Sequence, residues 1–168
     1  MEPKTKHDPF AALRFKEFRF YIAARFFLTT AVNFQAVCVG WQIYEITKDP
    51  LSLGLIGLAE AIPYIMIALF AGYVVDHYDR RKILLTAISV LVISSISLFY
   101  FSMNLEDAAV KSVLPIYILI FITGLARGFI SPSMFAIMSQ LVPKNLFGNS
   151  STWNSTVWQI GAVGGPAL

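Results

Sequence analysis

The chain has 168 residues, of which 57% are hydrophobic and only 14% charged, with a net charge of +3. Soluble domains carry about 25% charged residues, and a chain of this size has too much surface for its volume to hide so much apolar side chain. With a mean hydropathy of +0.65, this excludes a soluble enzyme, a disordered chain and a disulfide scaffold, and leaves an integral membrane protein. The positive charges are not massed into one surface, so no nucleic acid is expected as a partner. The single Cys38 permits no intrachain disulfide.

A span needs about 20 mostly apolar residues to cross roughly 30 Å of hydrocarbon. Residues 1–19 read as a cytoplasmic N-terminal segment. Transmembrane helices are predicted over about 20–46, 51–75, 83–103 and 113–142, with a fifth, incomplete one over 149–168. Each stretch is too long and too apolar for a strand, so the fold class is all-α. Thr47–Pro50 and Pro143–Asn145 carry turn residues at two of the joints. The first span is too long for the apolar core of a cleaved signal peptide.

Orientation follows from Lys and Arg. Lys4, Lys6, Arg14, Lys16, Arg19, Arg80, Arg81, Lys82 and Lys144 fall on one side, and only Lys48 and Lys111 on the other. This places the N-terminus in the cytoplasm and the segment 104–112 outside. Phe15, Phe18 and Phe20 are expected at the inner interface, with Trp41 and Tyr44 at the outer one. The segment Phe10–Phe18 reads either as a short amphipathic helix on the inner surface or as a solvated lead-in.

The inner loop after the second helix runs Gly72-Tyr73-Val74-Val75-Asp76-His77-Tyr78-Asp79-Arg80-Arg81-Lys82. Gly72 would let two helices approach closely. Asp76 would end the second helix, its carboxylate accepting from the amides of the next helix or pairing with arginine. This loop resembles the signature loop of the major facilitator superfamily. Gly72, Asp76, Arg80 and Arg81 fall on its slots, while Asp79 replaces the usual second glycine and His77 the usual basic residue. Helix four is similar to the family pattern at Gly124, Pro132 and Pro143, but Ile120 stands where the family carries an arginine. Arg127 lies seven residues on, two turns along roughly the same face. Gly124-x-x-x-Gly128 adds a close-packing pair. Gly161-x-x-x-Gly165-Pro166 in helix five is similar to the motif that marks the superfamily's antiporters.

With Asp8-Pro9-Phe10 and Trp41–Thr47, the chain most resembles bacterial exporters of the enterobactin-exporter type. The resemblance implies the first four and a half helices of a major-facilitator bundle, whose remaining C-terminal helices are expected in a longer protein. It further implies a proton-coupled exporter of a small organic molecule, siderophore or drug-like, working by alternating access in the bacterial inner membrane. Partners are then that substrate, protons and the bilayer. A non-transporting membrane scaffold or subunit is the competing reading.

Charges inside the spans need a reason, because each costs about 2.5–3.5 kcal/mol at the bilayer centre. Arg25 is near enough to the inner boundary to snorkel to the headgroups. Glu60 and Arg127 are deeper. They read either as a structural ion pair or as lining a watery cavity, Glu60 carrying a proton and Arg127 an anionic group. Asn33, Gln35 and Gln42 add uncharged polar groups on helix one, and Asn33 and Gln35 cannot share one face closely. His7 and His77 suggest no metal site, no cofactor is implied, and no nucleophile–base pair points to an enzyme. Asn149-Ser150-Ser151 and Asn154-Ser155-Thr156 match glycosylation acceptors by chance, since they fall on the cytoplasmic side.

Overall fold

The structure, a computed structural model, describes residues 8–103 and 113–168. The expected outer segment 104–112 and His7 lie outside the described residues. A 3₁₀ turn, Ala12–Arg14, leads into helix α1 (Lys16–Thr47). Helices α2 (Pro50–His77), α3 (Arg80–Met103) and α4 (Leu114–Leu141) follow, then a second 3₁₀ turn and α5 (Phe147–Ala167).

The helix ends are chemical. Asp49 caps α2, its Oδ1 accepting from the Leu51 amide at 3.0 Å, and Pro50 fills the first helical position, where a missing N–H costs nothing. Tyr78 is extended and stops α2. Asp79 then caps α3, accepting from the Arg81 amide at 3.0 Å. Phe15 is likewise extended, so the Phe10–Phe18 stretch is a 3₁₀ turn and then the start of α1, not one amphipathic helix. Phe18 is fully buried rather than part of an interfacial belt, while Phe20 is exposed.

Helices α1 to α4 are long and apolar enough to cross a membrane. Helix α5, with 21 residues, has the length but is not among them. Asn149, Asn154, Gln159 and its serines and threonines dilute it.

The chain packs as two units, Gln35–Ile137 and a second made of the chain up to Phe34 with Met138–Leu168. In the first, Val39, Ile43, Ile56, Leu98, Ile116 and Ile120 form a buried apolar cluster drawn from α1, α2, α3 and α4. Ser95 Oγ donates to Gln35 Oε1 at 3.0 Å, tying α3 to α1, and Tyr117 Oη donates to the Ser52 carbonyl at 3.2 Å, tying α4 to α2. In the second unit, Phe18 stacks on Tyr21, whose hydroxyl donates to Asn154 Oδ1 at 2.9 Å.

Candidate functional site

The site is built on the seam between α2 and α4. A Cβ added at Gly124 would fall 2.5 Å from the Glu60 carbonyl oxygen and 2.8 Å from Pro63 Cγ. One added at Gly128 would overlap the Ile67 side chain and lie 3.3 Å from the Tyr64 carbonyl. Only glycine fits at both places, so the backbones touch, as small-xxx-small pairs allow in a membrane. Pro63 is fully buried in this seam. Having no N–H, it leaves the Ala59 carbonyl without its helical donor, one residue from Glu60.

Arg127 projects from between the two glycines and makes an ion pair with Glu60, through Nη1 and Oε1. The two side chains keep 29% and 25% of their exposure, so the pair is largely withdrawn from its surroundings. Glu60 lies ten residues beyond Pro50, about 15 Å along α2. The sequence left open whether these charges meet, and the structure brings them together. Ile120, on the slot where the family carries arginine, is 4% exposed within the apolar cluster. A charge there would have no partner among those side chains, whereas Arg127 has Glu60.

The other polar candidates are dispersed. Gln35 is bound to Ser95 of α3. Asn33 donates to the Thr29 carbonyl of its own helix at 2.8 Å. Gln42 Nε2 is buried without a hydrogen-bond partner among the described residues, as is the hydroxyl of Ser133 on α4. Arg25 is 9% exposed and thus buried among protein groups, not held out towards headgroups.

The signature loop differs from expectation in two respects. Asp76 lies within α2 and is exposed, and it makes no hydrogen bond or ion pair among the described residues. Asp79, the residue that departs from the family pattern, does the capping expected of Asp76. A Cβ at Gly72 would meet nothing within 4 Å, so the close approach expected there is not made among the described residues. Arg80 Nη1 donates to the Ala136 carbonyl of α4 at 3.5 Å, and Arg81 stays exposed.

The antiporter-like segment packs α5 on α1. A Cβ at Gly161 would lie 3.1 Å from Thr29 Cβ, and one at Gly165 would lie 2.8 Å from both Asn33 Cβ and the Thr30 carbonyl. Pro166 is exposed near the end of the helix. No group of three or more metal-ligating side chains occurs among the described residues. Asn149 and Asn154, read from the sequence as chance acceptor sites, instead bind residues near the chain start. The one sequence signal for this is the pair Asn149 and Trp153, one helical turn apart.

Residues 7–168 match the family of transmembrane secretion effectors, and the chain belongs to that family, within the major facilitator superfamily. It is a multi-pass, all-α membrane protein. Macrolide efflux protein A of Streptococcus pyogenes is 24% identical over 143 residues, covering 84% of this chain and 33% of that protein. The same protein from a serotype M6 strain matches equally. The chain thus spans about a third of the length of these curated relatives. No solved structure matches it.

Proposed function

We propose that this member of the transmembrane secretion effector family supplies the first helices of a proton-coupled exporter of small organic molecules. The setting is the bacterial inner membrane, with the N-terminus in the cytoplasm. The substrate is drug-like or siderophore-like, and transport is by alternating access. The observation that carries this reading is the Glu60–Arg127 pair held on the glycine seam of α2 and α4. The efflux named in the streptococcal relatives supports the direction.

The mechanism follows from charge. A donor group of the substrate and a proton compete for the Glu60 carboxylate, so the site holds one or the other. Substrate taken up on the cytoplasmic side is carried out and displaced there by a proton on Glu60. The proton is then carried in and released to the cytoplasm, and Arg127 holds the emptied carboxylate until the next substrate binds. Because the two ligands exclude each other they move in opposite directions, which is what exchange of proton for substrate requires. A charge left unpaired at this depth is costly, so the empty protein stays in the paired state.

The test uses the full-length protein in sealed vesicles, with a macrolide antibiotic as the probe and rates normalised to folded protein. Glu60→Gln is expected to abolish uphill transport driven by a pH gradient while retaining substrate exchange at equal pH. Unchanged proton-driven transport in Glu60→Gln would overturn the reading.

A further inference from the structure

Residues 8–14 are bound to the first turns of α5 by hydrogen bonds from the side chains of Asn149 and Trp153. Asn149 carries three of the bonds. Its Oδ1 accepts from the Ala12 amide at 3.2 Å, and its Nδ2 donates to the carbonyls of Pro9 at 2.8 Å and Asp8 at 3.3 Å. Trp153, one turn on along the same face, donates Nε1–H to the Pro9 carbonyl at 2.8 Å. Its ring lies against Phe10, with centroids 5.8 Å apart. On the strap side, every one of these hydrogen bonds is to the backbone.

The same segment is also bound to itself. The Asp8 carboxylate accepts from the Phe10 amide at 3.0 Å and pairs with Arg14 at 2.6 Å. The Leu13 amide donates to the Phe10 carbonyl at 3.1 Å. None of these internal bonds uses α5, so they survive if the segment leaves it.

We propose that residues 8–14 are a strap clipped to α5 by Asn149 and Trp153 and released as one folded unit, making a two-state latch between the starts of α1 and α5. The all-or-none character comes from Asn149. Its three bonds share one planar amide, and hydrogen bonds fail steeply outside a narrow range of distance and angle. A displacement that breaks one therefore breaks the set. The strap runs directly into α1 at Lys16, so its release frees the start of that helix. Farther along, Gly161 and Gly165 keep α5 on α1, so the latch acts at the ends alone. It needs no substrate, so its test stands apart from the exporter reading.

The experiment is hydrogen–deuterium exchange on the full-length protein in lipid bilayers, followed at the Ala12 amide, whose acceptor in the clipped state is Asn149. Asn149→Asp keeps the acceptor for Ala12 but turns a carboxylate oxygen toward two carbonyls. Asn149→Ala removes all three bonds without adding charge. Trp153→Phe keeps the ring and loses the N–H. Either Asn149 variant is expected to speed exchange of the Ala12 amide by about tenfold or more, and Trp153→Phe by less. Combining Trp153→Phe with an Asn149 variant is expected to add nothing, because an open latch has nothing further to lose. Wild-type exchange in both Asn149 variants would overturn the proposal. So would multiplying effects in the double variants, or faster exchange spread equally through α2 and α3.

Discussion

Removing one member of the Glu60–Arg127 pair is the sharpest perturbation of the α2–α4 seam. Both side chains are about three-quarters buried in this chain, at 25% and 29% exposure. Breaking a buried pair from one side costs about 3–5 kcal/mol, because the partner remains as an uncompensated charge. The residual exposure places the expected loss lower, at about 2–3 kcal/mol. That is a factor of roughly 30–140 in the folding equilibrium. The assay is thermal unfolding of the purified full-length protein in one fixed detergent. Glu60→Gln and Arg127→Leu are each expected to unfold well below wild type. The double variant is expected to return to within about 1 kcal/mol, since a removed pair costs far less than a broken one. Single losses that simply add in the double variant would show that the two charges do not support each other. A Glu60→Gln protein that melts with wild type would refute the reasoning altogether.

Gly124→Ala puts a methyl 2.5 Å from the Glu60 carbonyl, and overpacking of this kind costs about 1–3 kcal/mol. Gly164→Ala, with nothing within 4 Å, is expected to melt with wild type in the same assay. Asp79→Ala removes the cap of α3 and is expected to cost about 0.5–2 kcal/mol. Asp76→Asn is expected to leave stability unchanged and to cripple transport in vesicles, its exposed carboxylate having no partner among the described residues. Ala108→Cys in a Cys38→Ser background is expected to react with an impermeant thiol reagent from outside intact cells. Labelling only after permeabilisation would reverse the orientation.

The helices were legible because apolar runs of this length have few other fates. The meeting of Glu60 and Arg127 was half legible. Each charge is out of place in its span, and charges in a membrane pair with one another. The glycine spacings announced two close contacts without saying which helices receive them. Three features were hidden for physical reasons. The capping role passed from Asp76 to Asp79 because α2 continues through His77, and a shift of a few residues in a helix end reassigns every side chain beside it. The start of α1 at Lys16 was hidden because a helix can begin in the polar region before its apolar span. The bonds of Asn149 run to backbone groups 137–141 residues away, and backbone acceptors leave no mark in a sequence.

The two departures from the superfamily pattern each have a local reason. At residue 79 an aspartate replaces glycine because α3 begins with a side-chain cap and not with a flexible turn. At residue 120 an isoleucine replaces arginine because that position faces Val39, Ile43, Ile56, Leu98 and Ile116. A guanidinium there would be unpaired in an apolar cluster, the costliest arrangement a membrane helix can hold. Seven residues on, about 10 Å along the helix, the charge reappears as Arg127, where Glu60 neutralises it. The glycine contacts at residues 124 and 128 bring α2 and α4 together around the ion pair. Each charge is tolerable inside its span because the other is held beside it, so the seam and the pair stabilise one another.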